Sequence, residues 1–444
     1  MSSTALGLRK VNDDILGTMG RPGPLYVAGM ALVLGCLAWA GYAWLYQLAV
    51  GLGVTGYAPP IMWAVYITNF VFWVGIAHSG TLISAFLYLL RARWRTAVSR
   101  AAEAMTVFAV MTAGLFPIIH LGRPWLFFWL MPYPNQRGLW INFRSPLVWD
   151  VFAVTTYFTV SALFLFLGLV PDLAIVRDRA TGLRRRLYGL AALGWQSTGE
   201  HWRHYTALYG FFAALATPLV VSVHSVVSWD FAMAIAPGWH STIFAPYFVA
   251  GAIFSGLAMV LTLLIPMRRL YRLEEYVTVD HFESVAKLII ATSLIVSYSY
   301  ASESFLAWYR GSQFEQGTWL DRARGAYAPL FWTMLVCNSV VPLLLFARRI
   351  RRSVKALFAI SLLINVGMWL ERFVIIVSSL AHGVAPATWR GLYRPTWVEL
   401  AITVGSFAWF SLWFLLFVKL CPVLPVSELK ESLLHRTPSE ARHG

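Results

Sequence analysis

Residues 116–150 read FPIIHLGRPWLFFWLMPYPNQRGLWINFRSPLVWD. The stretch leaves one apolar segment at His120 and enters another at Asp150, and between them lie Trp125, Trp129, Trp140 and Trp149 with Arg123, Arg137 and Arg144. Indole rings gathered between two long apolar runs are the pattern of a chain turning at a membrane surface, where amphipathic rings settle at headgroup level. A histidine and a carboxylate placed where the chain leaves and re-enters oil are not explained by that pattern alone.

The rest of the chain has the same character. Of 444 residues, 59% are hydrophobic and 12% charged, 21 are tryptophan, and the mean hydropathy is +0.64, which excludes a water-soluble globular domain. A formal charge of +15 would suit nucleic acid, but the arginines form short clusters between apolar runs, where they set topology, so no nucleic-acid partner is expected. Cys36, Cys337 and Cys421 form no CxxC, CxxCH or metal spacing, so this chain is expected neither to ligate an iron–sulfur cluster nor to attach c-type haem. Segment 1–24 is polar, and the hydrophobic run after it lacks a small-residue cleavage site, so no cleaved signal peptide is expected.

A bilayer core takes roughly twenty apolar residues per helix. Ten segments reach that length: 25–50, 61–90, 101–120, 146–170, 206–228, 244–267, 285–308, 327–347, 353–382 and 397–420. The connections 91–100, 177–205, 268–284 and 348–355 hold 18 Lys and Arg, whereas the five opposite loops hold 8. The positive-inside rule then predicts a multi-pass protein of the bacterial inner (cytoplasmic) membrane with both termini cytoplasmic and with His120 and Asp150 near the external face.

The chain also resembles itself. FWVGIAHSG (72–80) aligns with FVAGAIFSG (248–256) at an offset of 176, and SPLVWD (145–150) aligns with APLFWT (328–333) at an offset of 183. Each pair joins helices running in the same direction, which predicts an all-α membrane protein of two parallel-repeat four-helix bundles, spans 2–5 and 6–9, with spans 1 and 10 peripheral. The expected divisions are a cytoplasmic N-terminal segment 1–24, span 1 within 25–60, a first bundle 61–228, a second bundle 244–382, span 10 within 383–420 and a cytoplasmic tail 421–444. His78 aligns with Phe254 and Asp150 with Thr333, so the polar chemistry is expected in the first bundle.

Charged side chains inside a span are costly and face a bundle interior or a water path. Asp150, Glu303, Glu371 and Arg372 qualify, with Lys287 and Glu399 at span edges. Glu371 and Arg372, as sequence neighbours, project to different sides of a helix and need not pair. His120 and Asp150 end and begin consecutive antiparallel spans, so they are expected to approach each other. A neutral imidazole there accepts a proton, and a nearby carboxylate orients the ring and takes the proton on. Quinol oxidation releases two protons with two electrons, and an amphipathic quinol suits an apolar pocket at one membrane face.

The same residues admit other readings. Asp150 is also a natural first-turn residue of a helix, and His120 a helix end. A haem b held by His120 and His224, which lie at similar external depth, is another possibility, with His78 deeper and without an obvious partner. Glu303 and Tyr300 in SLIVSYSYASESFLAWY, with Asn365, Glu371 and Arg372, form either a proton or water path through the second bundle or hydrogen bonds that fix it. Ten spans with intramembrane carboxylates also suit a secondary transporter, although Asp150 is at the membrane edge rather than the midplane. An inert anchor for an external complex is the remaining alternative.

The run HLGRPWLFFWLMPYPNQRGLWINFRSPLVWD, together with WLERFVIIVSS (369–379), resembles the NrfD-like family of quinone-interacting membrane subunits, the polysulphide reductase type, and within it the ActC branch of alternative complex III. The resemblance implies a quinol site near the periplasmic face of the first bundle with His120 and Asp150 in its pocket, and it matches His78 to a polar position of the second span. With Arg123 and Trp149 beside them, these form the expected quinol-binding set. It also implies a chain without haem or iron–sulfur cluster of its own that oxidises quinol, with menaquinone expected, and releases protons through His120 and Asp150. The partners implied are a periplasmic iron–sulfur subunit, multihaem c-type cytochromes, a homologous second ten-span membrane subunit and surrounding lipids. In relatives that anchor molybdoenzymes the subunit works toward quinone reduction, and helices do not fix the direction.

Overall fold

The computed structural model describes residues 3–133, 135, 138–382 and 392–434. Arg137 of the tryptophan-rich loop, segment 383–391 ahead of the tenth span and the tail beyond residue 434 lie outside the described residues. Among the described residues, ten helices are long and apolar enough to cross a bilayer: Pro24–Val50, Val65–Leu89, Ser99–His120, Pro146–Arg179, Gly199–Ala232, Phe244–Leu270, Val279–Tyr309, Ala328–Phe346, Val354–Ala381 and Trp397–Leu420, here spans 1 to 10. The loops holding the excess of arginine all lie on one side, termed below the arginine-rich face; span 3 ends and span 4 begins at the opposite, arginine-poor face.

Local chemistry sets the helix ends. Pro24 and Pro146 occupy first turns, where the missing N–H would have had no intrahelical partner. Thr198 caps span 5, while Thr278 with His281 and Thr396 with Glu399 form reciprocal caps on spans 7 and 10. Spans 4 and 5, at 34 residues each, reach about 50 Å and overrun a hydrocarbon layer of about 30 Å on the arginine-rich side. Span 8 is the least regular. It widens into a π turn at Val336–Val340 and then tightens over Val341–Phe346, because Pro342 offers no N–H to the preceding turn and its ring crowds that turn's carbonyl.

Packing closes two rings. Span 2 packs on spans 3 and 5, and span 4 packs on the same two; span 6 packs on spans 7 and 9, and span 8 likewise. Span 2 against span 6, flanked by spans 5 on 6 and 2 on 9, joins the rings, while spans 1 and 10 pair with each other along the outside of spans 2 and 3. This is the arrangement that the internal repeat predicts.

The two repeated segments cross at the centre of this joint. Gly75 faces Ser255, and a Cβ added to Gly256 would fall 1.2 Å from Ser79 Oγ, so the helices meet through small residues that let their backbones approach. Gly256→Ala is expected to destabilise the protein by about 1–3 kcal/mol through overpacking. Adding Ser79→Gly removes the obstructing atoms and should recover most of that loss in thermal unfolding of the detergent-purified protein. A double variant as unstable as Gly256→Ala alone would show that the strain lies elsewhere.

At the arginine-rich face the C-terminal segment is fastened to the first bundle. Arg100 reaches Asp172 at 2.9 Å, Asp172 accepts from the Ser427 backbone N–H and hydroxyl at 3.0 and 2.9 Å, and Arg95 meets Glu428 at 2.9 Å. The stretch expected to be only a tail thus carries a docked helix, Val426–Leu434.

Candidate functional site

Asp150 sits one turn into span 4, and Asp230 sits just before span 5 ends at Ala232. The spans are antiparallel neighbours, so both carboxyls arrive at the arginine-poor face as near neighbours of each other. Oδ1 of each is buried without a hydrogen-bond partner among the described residues. Two like charges side by side out of water are costly, which favours a pair that holds one proton between them. The pair can then accept one more.

Each aspartate follows a tryptophan. The indoles of Trp149 and Trp229 meet edge to face at 5.9 Å, and Trp149 Nε1 donates to the Phe143 carbonyl at 2.6 Å, which fixes the entry of the chain into span 4. Beside this pair a cavity of about 300 Å³ runs between spans 4 and 5, walled by Trp149, Phe152, Ala153 and Val226 with Thr156 and Ser222 as polar points. Val226 precedes Asp230 by one helical turn on the same face. An apolar slot with two hydroxyls, walled by the tryptophan that precedes Asp150, suits a flat ring with polar edges carried on an apolar tail.

Two turns deeper, Tyr157 stacks on His78 with ring centroids 4.4 Å apart, and its hydroxyl donates to the Ala77 carbonyl at 2.8 Å and to Thr81 at 3.1 Å. His78 Nδ1 donates to the Val74 carbonyl at 2.5 Å, and its Nε2 has no hydrogen-bond partner among the described residues. The neighbour that sequence reasoning did not find for His78 is His224, at 4.8 Å between ring centroids. His120 and His224 are therefore not a facing pair: His224 is buried against His78, whereas His120 lies half-buried at a helix end.

His120 turns toward spans 1, 2 and 10. Its Nδ1 is 3.3 Å from the Tyr57 hydroxyl, and the rings meet edge to face at 5.5 Å. Burial, reinforced by the charge of Glu399, pushes the Tyr57 phenol well above its usual pKa, so Tyr57 stays protonated and donates, and the neutral ring carries its hydrogen on Nε2. Glu399 also holds the loops around His120, accepting from the Gly56 N–H at 2.8 Å and from Tyr393 at 2.5 Å. The expected hydrogen bond from Asp150 to His120 is not formed, because each has a nearer partner, Asp230 and Tyr57 respectively. Arg123 is exposed on the loop beyond span 3.

In the second bundle, Tyr300 donates to Glu371, Asn338 donates to the Tyr300 hydroxyl at 2.9 Å, and Arg372 lies over the Phe248 ring at 4.5 Å. Arg372 also forms an ion pair with Glu371, against the expectation that these neighbours diverge. At low dielectric a buried carboxylate holds the nearest guanidinium, and the long arginine stem bends back across the helical phase to reach it. Glu303 stands apart and faces Arg322 at 3.8 Å, while Asn365 donates to Thr262 at 3.1 Å. The five residues expected on one path thus fall into three groups among the described residues.

Two rings of four spans, with two neighbouring carboxyls near a groove at the bilayer-facing surface, define a multi-pass membrane protein. Residues 53–385 match the family described as polysulphide reductase, NrfD. A Halobacterium salinarum chain, provisionally named as a membrane subunit of dimethyl sulfoxide reductase, is 30% identical over 416 residues, covering 88% of each chain. The chain belongs to the NrfD family: it is a membrane subunit of a quinone-linked oxidoreductase complex and works with partner subunits.

Proposed function

We propose that this chain oxidises a quinol, with menaquinol as the expected donor, in the groove between spans 4 and 5, and that the arginine-poor face is the external side of the cytoplasmic membrane. The observation that carries the proposal is the neighbouring pair Asp150 and Asp230, the first of them next in sequence to Trp149, a wall of that groove. Oxidation takes two electrons and two protons from the quinol and leaves quinone. One proton enters the carboxyl pair, and the second leaves toward His120, which lies at the same face. The electrons pass outward to an iron–sulfur partner subunit and from it to multihaem c-type cytochromes, beside a homologous second ten-span subunit, in the manner of the ActC branch. The excess of arginine in the loops opposite the site supports the orientation.

A second reading is favoured by the name of the Halobacterium relative. In it the chain anchors a reductase of the molybdoenzyme type, and quinone and quinol interconvert at the same carboxyl pair. Mass-spectrometric identification of what co-purifies from native membranes in mild detergent separates them. Multihaem cytochromes with an iron–sulfur subunit are expected; a molybdopterin subunit would establish the second reading. A chain that purifies alone and drives solute uptake in liposomes would overturn both.

A further inference from the structure

A cavity of about 380 Å³ lies in the second bundle at the arginine-poor face, between spans 7 and 8, and neither reading above uses it. Its place follows from the repeat. Trp332 and Thr333 are the counterparts of Trp149 and Asp150, and the same offset of 183 residues carries His120 onto Glu303. Trp332 and Glu303 both line the cavity. The second ring therefore keeps an indole and a titratable group around a hollow at the places matching Trp149 and His120.

The chemistry of the hollow is amphipathic. Arg322 is anchored by Ser378 at 2.9 Å and Ser379 at 2.7 Å, and its remaining Nη1 faces Glu303 across 3.8 Å, longer than a hydrogen bond. Each group thus retains capacity for a ligand oxygen. Phe331 and Trp332 supply flat apolar wall, and Ala301 and Trp332 are exposed on the outer surface of spans 7 and 8, so the mouth faces the bilayer. A ring entering from lipid can lie against Trp332 with one oxygen at the ion pair: a quinol hydroxyl donates to Glu303, and a quinone carbonyl accepts from Arg322.

We propose that this cavity is a second binding site for a quinone-type headgroup, entered from the bilayer between spans 7 and 8 and distinct from the groove of the first bundle. The choice of ligand rests on the first groove being a quinol site; the site itself rests on the cavity and the repeat. An azido-quinone photolabel applied to the native complex in membranes, followed by peptide mapping, tests it. Label is expected in segments 297–310 and 331–339 as well as in 149–156 and 219–226, and excess unlabelled menaquinol analogue should remove it from all four. Glu303→Gln, which removes a charged hydrogen-bond partner, and independently Ala301→Trp, which narrows the mouth, should lower second-bundle labelling about tenfold and leave first-bundle labelling intact. Label confined to the first bundle, or second-bundle label displaced by phospholipid and not by quinol, would overturn the inference and spare the proposed function. Label confined to the second bundle would do the reverse, and label in neither would remove both.

Discussion

Replacing Asp150 with Asn is expected to lower quinol-driven reduction of the partner's acceptor about a hundredfold or more, with the complex still assembled. The amide keeps the shape of the carboxyl, so packing around Trp149 and Trp229 survives. What disappears is one of the two titratable carboxyls, so Asp230 is left to handle the proton without its coupled partner. Asp230→Asn should produce a loss of similar size, and the double variant should be little worse than either, because groups that act as a unit do not contribute additively. Turnover with a short-tailed menaquinol analogue, measured beside recovery of the intact complex, reads both quantities. Normal turnover in both single variants would reduce the pair to a helix-end feature and move the proton chemistry elsewhere.

The largest expected effect on stability lies in the other ring. Arg372→Met is expected to destabilise the protein by about 3–5 kcal/mol, because it strips the counter-ion from a fully buried carboxylate. Tyr300 still donates to Glu371, but one phenol does not compensate a charge at low dielectric. Converting Glu371 to Gln in the same chain removes the orphaned charge, so the double variant should regain most of the lost melting temperature. Equal melting temperatures for the single and double variants would show that Arg372 acts through its packing on Phe248 instead.

The architecture was legible in the sequence because a bilayer leaves few alternatives: apolar length gave ten spans, and two short self-matches gave the pairing of rings. The candidate site was legible only in part. Asp150 stood out as a charge at a span edge, but its partner Asp230 lay two residues beyond the apolar window that ended at 228 and passed for loop. The signal was present as a second Trp-Asp dipeptide, 229–230, facing the one at 149–150 from the end of an antiparallel helix. His120 was paired in expectation with Asp150 because the two end consecutive helices, yet Tyr57, on a loop without periodicity, sits nearer. Side-chain reach is likewise invisible to helical phase, which is why Glu371 and Arg372 were assigned to different sides and are found together. The two ring nitrogens of His78 and the arrival of His224 depend on how span 5 leans over span 2, which no single-chain pattern encodes.

The glycine–serine crossing between the rings has an electrical consequence. Where Gly256 meets Ser79 there is no space for a methyl group, and hence none for a water molecule. That contact is dry dielectric. Protons moving through hydroxyls and imidazoles of one ring meet no water between Gly256 and Ser79, so that contact offers no hydrated shunt into the other ring at its level.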